Sequence, residues 1–395
     1  MHKLLTLILA GLSMVGPLAI DTYLPSFPAI GQDFGVSPLL VQQTLSVFLF
    51  TFAFMMLFYG TLSDSFGRRP VILVALIVYT LASAGAAFAP SFGWLLVCRA
   101  LQGLSAGAGS VIGRAIVQDR FSGAEAQRMV SHIMMVFGLA PAIAPILGGW
   151  LHVAFGWRST FIFLSAFGLL MFVASYRALP ESLPAQSRHP FHILPIARNY
   201  WKVLRHPQFV LMALALGTAF SGFALYIGSA ANFVMNILHL PETAFGWLFI
   251  PLISGLVIGS AVAAKYAARI APGKMIWIGY AVMAVATLAS VSYNYLFTAT
   301  VPWAVLPLML YAFGLALIMS PVSVLALELF PDNRGLAASM QSFVQMLTFA
   351  VVSGLVAPLL FDSAFKLACG VLGGLLLSAL CWRLARTAAH HPTAH

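Results

Sequence analysis

The sequence predicts an all-α protein that crosses a membrane twelve times. Three observations predict it. Apolar runs of about 20 residues, the length a helix needs to cross a bilayer, recur along the chain. Hydrophobic residues make up 61% of the 395 and charged residues 8%. Mean hydropathy is +0.96, more apolar surface than a soluble domain can hide. The period-two alternation of a membrane β-barrel is absent, and helices satisfy their own backbone groups in lipid.

The spans are read at 4–27, 40–60, 71–89, 93–116, 129–151, 158–177, 208–234, 245–267, 275–292, 301–327, 336–358 and 363–383. The first starts almost at Met1, and no small-residue cleavage site follows it. It is therefore read as a span and not as a removed signal peptide. A charged turn, Gly60 to Pro70, separates spans two and three, and Asp119 with Arg120 ends span four. Span five carries Pro141 and Pro145. The longest polar stretch, with Pro180, Pro184, Pro190 and Pro195, divides six spans from six. This gives an N-terminal half at 1–177, a linker at 178–207, a C-terminal half at 208–386 and a flexible tail at 387–395. After span eight, Gly259 to Arg269 is a weak counterpart of the Gly60 turn, with the acid missing.

The net charge of +10 reads as topology and not as a nucleic-acid surface. With the N-terminus inside, 17 of the 20 Lys and Arg residues fall on the cytoplasmic side, which places both termini in the cytoplasm. Cys98, Cys369 and Cys381 lie in apolar runs without paired spacing and are read as small core residues. His390 and His391 fall in the tail, so no metal site is expected.

Two charges stand well inside the spans. Asp21 follows the apolar run Leu4–Ile20. In a span closing at Phe27 it lies about 9 Å from the outer end. Ionisable residues at such depth face a bundle interior or water. In the other reading the helix ends at Ile20 and Asp21 is a loop residue, but that span would be short. Arg99 lies at a similar depth in span four and has the opposite sign. Pairing with Asp21 lowers the cost of burying both; a structural arginine bonded to carbonyls is the other reading. A neighbouring cation lowers a carboxylate's proton affinity and burial raises it, so a change in either would load or release a proton.

Span five holds Gly138, Pro141, Pro145, Gly148 and Gly149 within twelve residues. Neighbouring helices support such a segment in lipid, and it reads as a bendable, closely packed element. A generic packing face is the alternative. Tyr23, Phe48, Phe52, Gln102, Phe220 and Tyr226 are candidates to line a cavity, where aromatics suit amphipathic ligands; lipid-facing or interhelical packing is the other reading of the aromatics.

The turn Gly60-x-x-x-Asp64-x-x-Gly67-Arg68-Arg69 resembles the loop signature of the major facilitator superfamily. Arg99-x-x-Gln102-Gly103 is similar to the fourth-helix motif of proton-coupled members. The span-five segment is similar to the antiporter signature of drug exporters, with Ala140 where Gly usually precedes the proline. Asp21-x-Tyr-Leu-Pro-x-x-Pro resembles the Bcr/CflA branch, which exports bicyclomycin, chloramphenicol and sulfonamides in exchange for protons. The resemblance implies a major facilitator fold in two six-helix halves and alternating access about a midplane cavity. It implies a bacterial inner-membrane exporter, monomeric and driven by the proton gradient without a cofactor. Asp21 and Arg99 would couple protons. Gly60, Asp64, Gly67, Arg68 and Asp119 would form a cytoplasmic gate motif that also includes Arg69, although solvated topology-setting charge is the preferred reading of Arg69. Cation-exporting relatives carry a second acid in helix one where this chain has Ser13, so neutral or zwitterionic amphipathic drugs are expected. A proton-coupled transporter of an endogenous metabolite is the alternative. No catalytic triad, metal cluster or cofactor motif points to an enzyme.

Overall fold

In the computed structural model the described residues are 2–188, 193–267 and 269–388, and they are helical almost throughout. Pro190, the end of the tail, His390 and His391 lie outside them. Among the described residues, twelve helical segments are long and apolar enough to cross a membrane. Their positions match the twelve predicted runs, with one substantive difference at the first. The chain divides into two compact units, one of residues 1–192 with Glu242–Gly246, the other of the remainder.

The first unit contains α1 (His2–Asp21), α2 (Phe27–Phe34), α3 (Pro38–Met56), α4 (Tyr59–Phe66), α5 (Arg68–Ala87), α6 (Phe92–Ala106), α7 (Ala108–Arg120), α8 (Gly123–Phe155) and α9 (Arg158–Ala178). Local chemistry sets several starts. Ser37 and Ser91 accept hydrogen bonds from Leu40 N–H and Trp94 N–H, capping α3 and α6. Pro38 occupies the first position of α3, where its missing N–H costs nothing. Gly35, with φ +63°, ends α2 in the left-handed conformation.

The first span does not close at Phe27. It runs from Leu4 to Phe34, broken after Asp21 by a short 3₁₀ turn, Leu24–Ser26. Pro25 and Pro28 do not stop the span; each sits in the first turn of the piece it opens. At the far end of α2, Asp33 accepts hydrogen bonds from Trp157 Nε1 (3.1 Å) and Arg158 Nη1 (2.6 Å), tying it to the start of α9.

The second unit contains α10 (Ile193–Leu204), α11 (Pro207–Gly228), α12 (Ala230–Asn232), α13 (Gly246–Tyr266), α14 (Pro272–Leu296), α15 (Leu306–Glu328), α16 (Arg334–Val351), α17 (Ala357–Leu360) and α18 (Ala364–Ala388). Part of the predicted linker is thus helix α10, which packs on α11 and α16. Two π-helical segments occur, Phe233–Ile237 after the seventh span and Val352–Val356 within the eleventh. The cysteine reading needs one correction. Cys98 and Cys381 are buried and free, but Cys369 is exposed, on an outward face of α18.

Candidate functional site

The interior of the first unit is organised by Arg99. Its side chain is fully buried, yet it forms no ion pair among the described residues. Nη1 donates to the Ala19 carbonyl at 3.1 Å and to Gln102 Oε1 at 2.8 Å, and Nε donates to the Thr44 carbonyl at 3.3 Å. The Ala19 acceptor follows from the break in the first span. Because α1 ends at Asp21, its last-turn carbonyls lack intrahelical partners, and one of them receives the guanidinium. Two aromatic rings cover the guanidinium faces. Its central carbon is 4.2 Å from the Tyr23 ring centroid and 4.4 Å from that of Phe48, cation–π contact in a desolvated setting.

Polar contacts extend from this centre into α5 and α3 and to Tyr23 in the break. Gln102 Nε2 donates to Ser83 Oγ at 2.7 Å, and Ser83 donates to the Tyr79 carbonyl at 2.7 Å. Thr44 donates to the Val41 carbonyl, which leaves its oxygen to accept from the Tyr23 hydroxyl at 3.1 Å. Gln102 is therefore committed to positioning Arg99 in this arrangement. Tyr23, Phe48 and Gln102, three of the predicted cavity residues, gather around one cation. Phe52 stacks on Phe48 with centroids 5.8 Å apart. The other two lie in the second unit: Phe220 stacks on Phe223, and Tyr226 meets Phe233 edge-on.

Asp21 lies in the same interior, 2% exposed, and so is not a loop residue. The expected pairing with Arg99 is not made in this structure. No cation lies within ion-pair distance of Asp21 among the described residues, and its Oδ1 has no hydrogen-bond partner there. The physical reason is anchoring: bonds from Nε and Nη1 to backbone carbonyls and Gln102 fix the guanidinium in place, and its Nη2, like Asp21 Oδ1, is left without a partner among the described residues. Thr22 Oγ1 and Ser26 Oγ, in the break just after Asp21, are also buried without partners among the described residues. An unpartnered carboxylate next to a helix break is a group whose surroundings a small backbone movement can change.

Span five reaches this break directly. A Cβ on Gly148 would lie 1.7 Å from the Thr22 carbonyl oxygen, so only glycine lets α8 approach there. Gly149 and Pro145 are buried beside it, while Pro141 is half-buried and a Cβ on Gly138 would meet open space. The segment remains one continuous helix across both prolines.

The charged turn forms a second constellation. Arg68 Nε donates to Asp119 Oδ2 at 3.1 Å, and Nη1 donates to Ser63 Oγ at 2.6 Å and to Asp64. Asp64, Arg68 and Asp119 are thus brought together. Gly67 takes φ +97°, in the region open to glycine. Gly60 shows no such constraint, since a Cβ there meets nothing within 4 Å. Arg69 donates to the Tyr176 carbonyl at 2.6 Å, outside the acid cluster.

Glu181 was missed as a site residue. Its carboxylate accepts from Arg68 N–H (3.0 Å) and Arg69 N–H (3.3 Å), capping α5 from 113 residues away. Ser182 donates to Asp119 Oδ2 at 2.7 Å. The available signal was that the helix begins after a glycine, which has no side chain to cap it, while an acid follows span six at Pro180.

The profile of the Major Facilitator Superfamily matches residues 9–358. The bicyclomycin resistance protein homolog of Haemophilus influenzae is 30% identical over 360 residues, covering 89% of this chain and 88% of that protein. The chloramphenicol resistance protein CraA of Acinetobacter baumannii is 26% identical, covering 85% and 81%. Among solved structures, a D-xylose-proton symporter superposes with TM-score 0.76 at 16% identity, covering 97% of each chain. With twelve candidate spans, the matched profile and these relatives, the chain belongs to the Major Facilitator Superfamily of multi-pass membrane transporters, alongside drug-resistance members.

Proposed function

We propose that this chain is a proton-coupled exporter of neutral or zwitterionic amphipathic drugs, of the chloramphenicol and bicyclomycin kind. It works as a monomer in the bacterial inner membrane with both termini in the cytoplasm, by alternating access. One observation carries the reading: Asp21 is buried and unpartnered at the break in the first span, and Gly148 of the antiporter-like segment packs on the next residue. Asp21 holds the proton in this arrangement. It releases the proton when movement of α1 against α8 opens the break to water or brings the carboxylate to a cation. Arg99 keeps the surrounding helices in register and sets the positive charge that Asp21 answers. The lone acid beside the lone cation leaves the interior near neutral, which suits uncharged or zwitterionic drugs over dications. The charge cluster of Asp64, Arg68 and Asp119 acts as the cytoplasmic gate.

Accumulation of labelled chloramphenicol in cells expressing the chain tests this. The expected result is lowered accumulation that a protonophore restores, and no lowering with Asp21→Asn at equal membrane expression. Unchanged accumulation of every drug in a panel, with uptake or export of a metabolite instead, would replace the drug reading with the endogenous-transporter one.

A further inference from the structure

The second unit holds a cationic recess that the transport reading does not use. It has a volume of about 430 Å³ and is lined by Trp277, Arg383, Arg386 and Thr387. Trp277 is on the first turns of α14, and the other three are on the last turns of α18. The recess therefore lies where two spans leave the membrane, on the cytoplasmic side under the orientation proposed above. Neither arginine has an acidic partner or ring contact among the described residues. Lys274, one turn before Trp277, is likewise without an ion pair there. Guanidinium groups at positions i and i+3 of one helix share a face and present parallel N–H donors suited to a phosphodiester.

Two further features separate this recess from ordinary topology-setting charge. The two spans that carry it are pinned together: Ser378 Oγ donates to the Ala215 carbonyl at 2.7 Å, so the Tyr280 hydroxyl at 2.8 Å donates to Ser378, locking α14 to α18 one turn along from Trp277. From Arg383, positions i−3 and i−7 are Leu380 and Leu376, 53% and 62% exposed. They extend the same helix face into the apolar zone. A cationic head pocket with a half-exposed indole at its edge and an apolar lane beneath it matches a lipid and not a free ion.

We propose that this recess binds one anionic phospholipid, its phosphodiester between Arg383 and Arg386 and an acyl chain along Leu380 and Leu376. Only the placement on the cytoplasmic leaflet rests on the proposed orientation; the binding itself is independent of drug export.

The test is native mass spectrometry of the full-length protein released from detergent, titrated with phosphatidylglycerol and with phosphatidylcholine. The expected result is one tightly held phosphatidylglycerol in the wild type. In Arg383→Gln/Arg386→Gln its affinity falls about 30-fold, as the loss of two interfacial cations predicts. Lys202→Gln/Arg205→Gln, with the same loss of charge on α10, should retain it. Equal weakening in both double variants would overturn the site as mere net-charge attraction. Displacement of the lipid by millimolar inorganic phosphate would overturn the lipid assignment in favour of a free-anion site. Thermal melting of both variants in the same detergent separates lost binding from lost fold.

Discussion

Arg99 shows how a buried charge is held without a counter-ion. Two backbone carbonyls, one amide oxygen and two ring faces surround it. A planar guanidinium can serve all of these at once, whereas a lysine ammonium cannot fill the same fork or lie flat between two rings. Arg99→Lys should therefore destabilise the unit by about 1–3 kcal/mol, the cost of leaving buried acceptors unserved. A melting temperature equal to wild type would show that the network does not carry that load. Glu181 makes a second residue-level case. Glu181→Gln keeps the shape but removes the charge at the start of α5, and should cost about 0.3–1 kcal/mol in low salt, shrinking as salt rises. A loss that does not respond to salt would argue against the electrostatic cap. The sequence made Asp21 and Arg99 visible because they are rare charges in apolar runs. It did not show their partners, since an expected ion pair is the simplest way to bury two charges. Carbonyls freed by a helix break leave no mark in residue identity.

At the level of elements, the first span and α8 belong together. The sequence reading closes the first span at Phe27, just before Pro28. In the structure Pro25 and Pro28 start new helical pieces, because proline at the first turn gives up only an N–H that would be unbonded anyway. Most other span limits were legible to within a few residues, because hydropathy and length fix a membrane helix more firmly than capping does. Against the break, α8 packs through Gly148 with room for no side chain. Gly148→Ala must push α8 off Thr22, and overpacking of this kind costs about 1–3 kcal/mol. The expected outcome is a folded protein with drug transport reduced at least as severely as its stability. Gly138→Ala is the matched control, since nothing lies near its Cβ, and it should transport like wild type. Equal effects of the two substitutions would mean that the segment acts through general helix flexibility and not through contact with the break.

For the molecule as a whole, twelve apolar segments and two compact units of six spans give the superfamily architecture, and the profile match over residues 9–358 agrees with it. The count was legible because basic residues and hydropathy repeat in register across the chain. The charged turn stood out through its resemblance to the superfamily's loop signature, whereas the contacts of Glu181 and Ser182 with that turn and with Asp119 depend on how span six folds back and could not be read from residue order. The central claim is that the carboxylate at the break in the first span exchanges a proton for drug movement. Proton release from everted vesicles containing the protein, challenged with chloramphenicol, tests it most directly. The account predicts a drug-triggered proton flux in the wild type that is absent in Asp21→Asn at equal protein content. A flux of the same size in Asp21→Asn would contradict it.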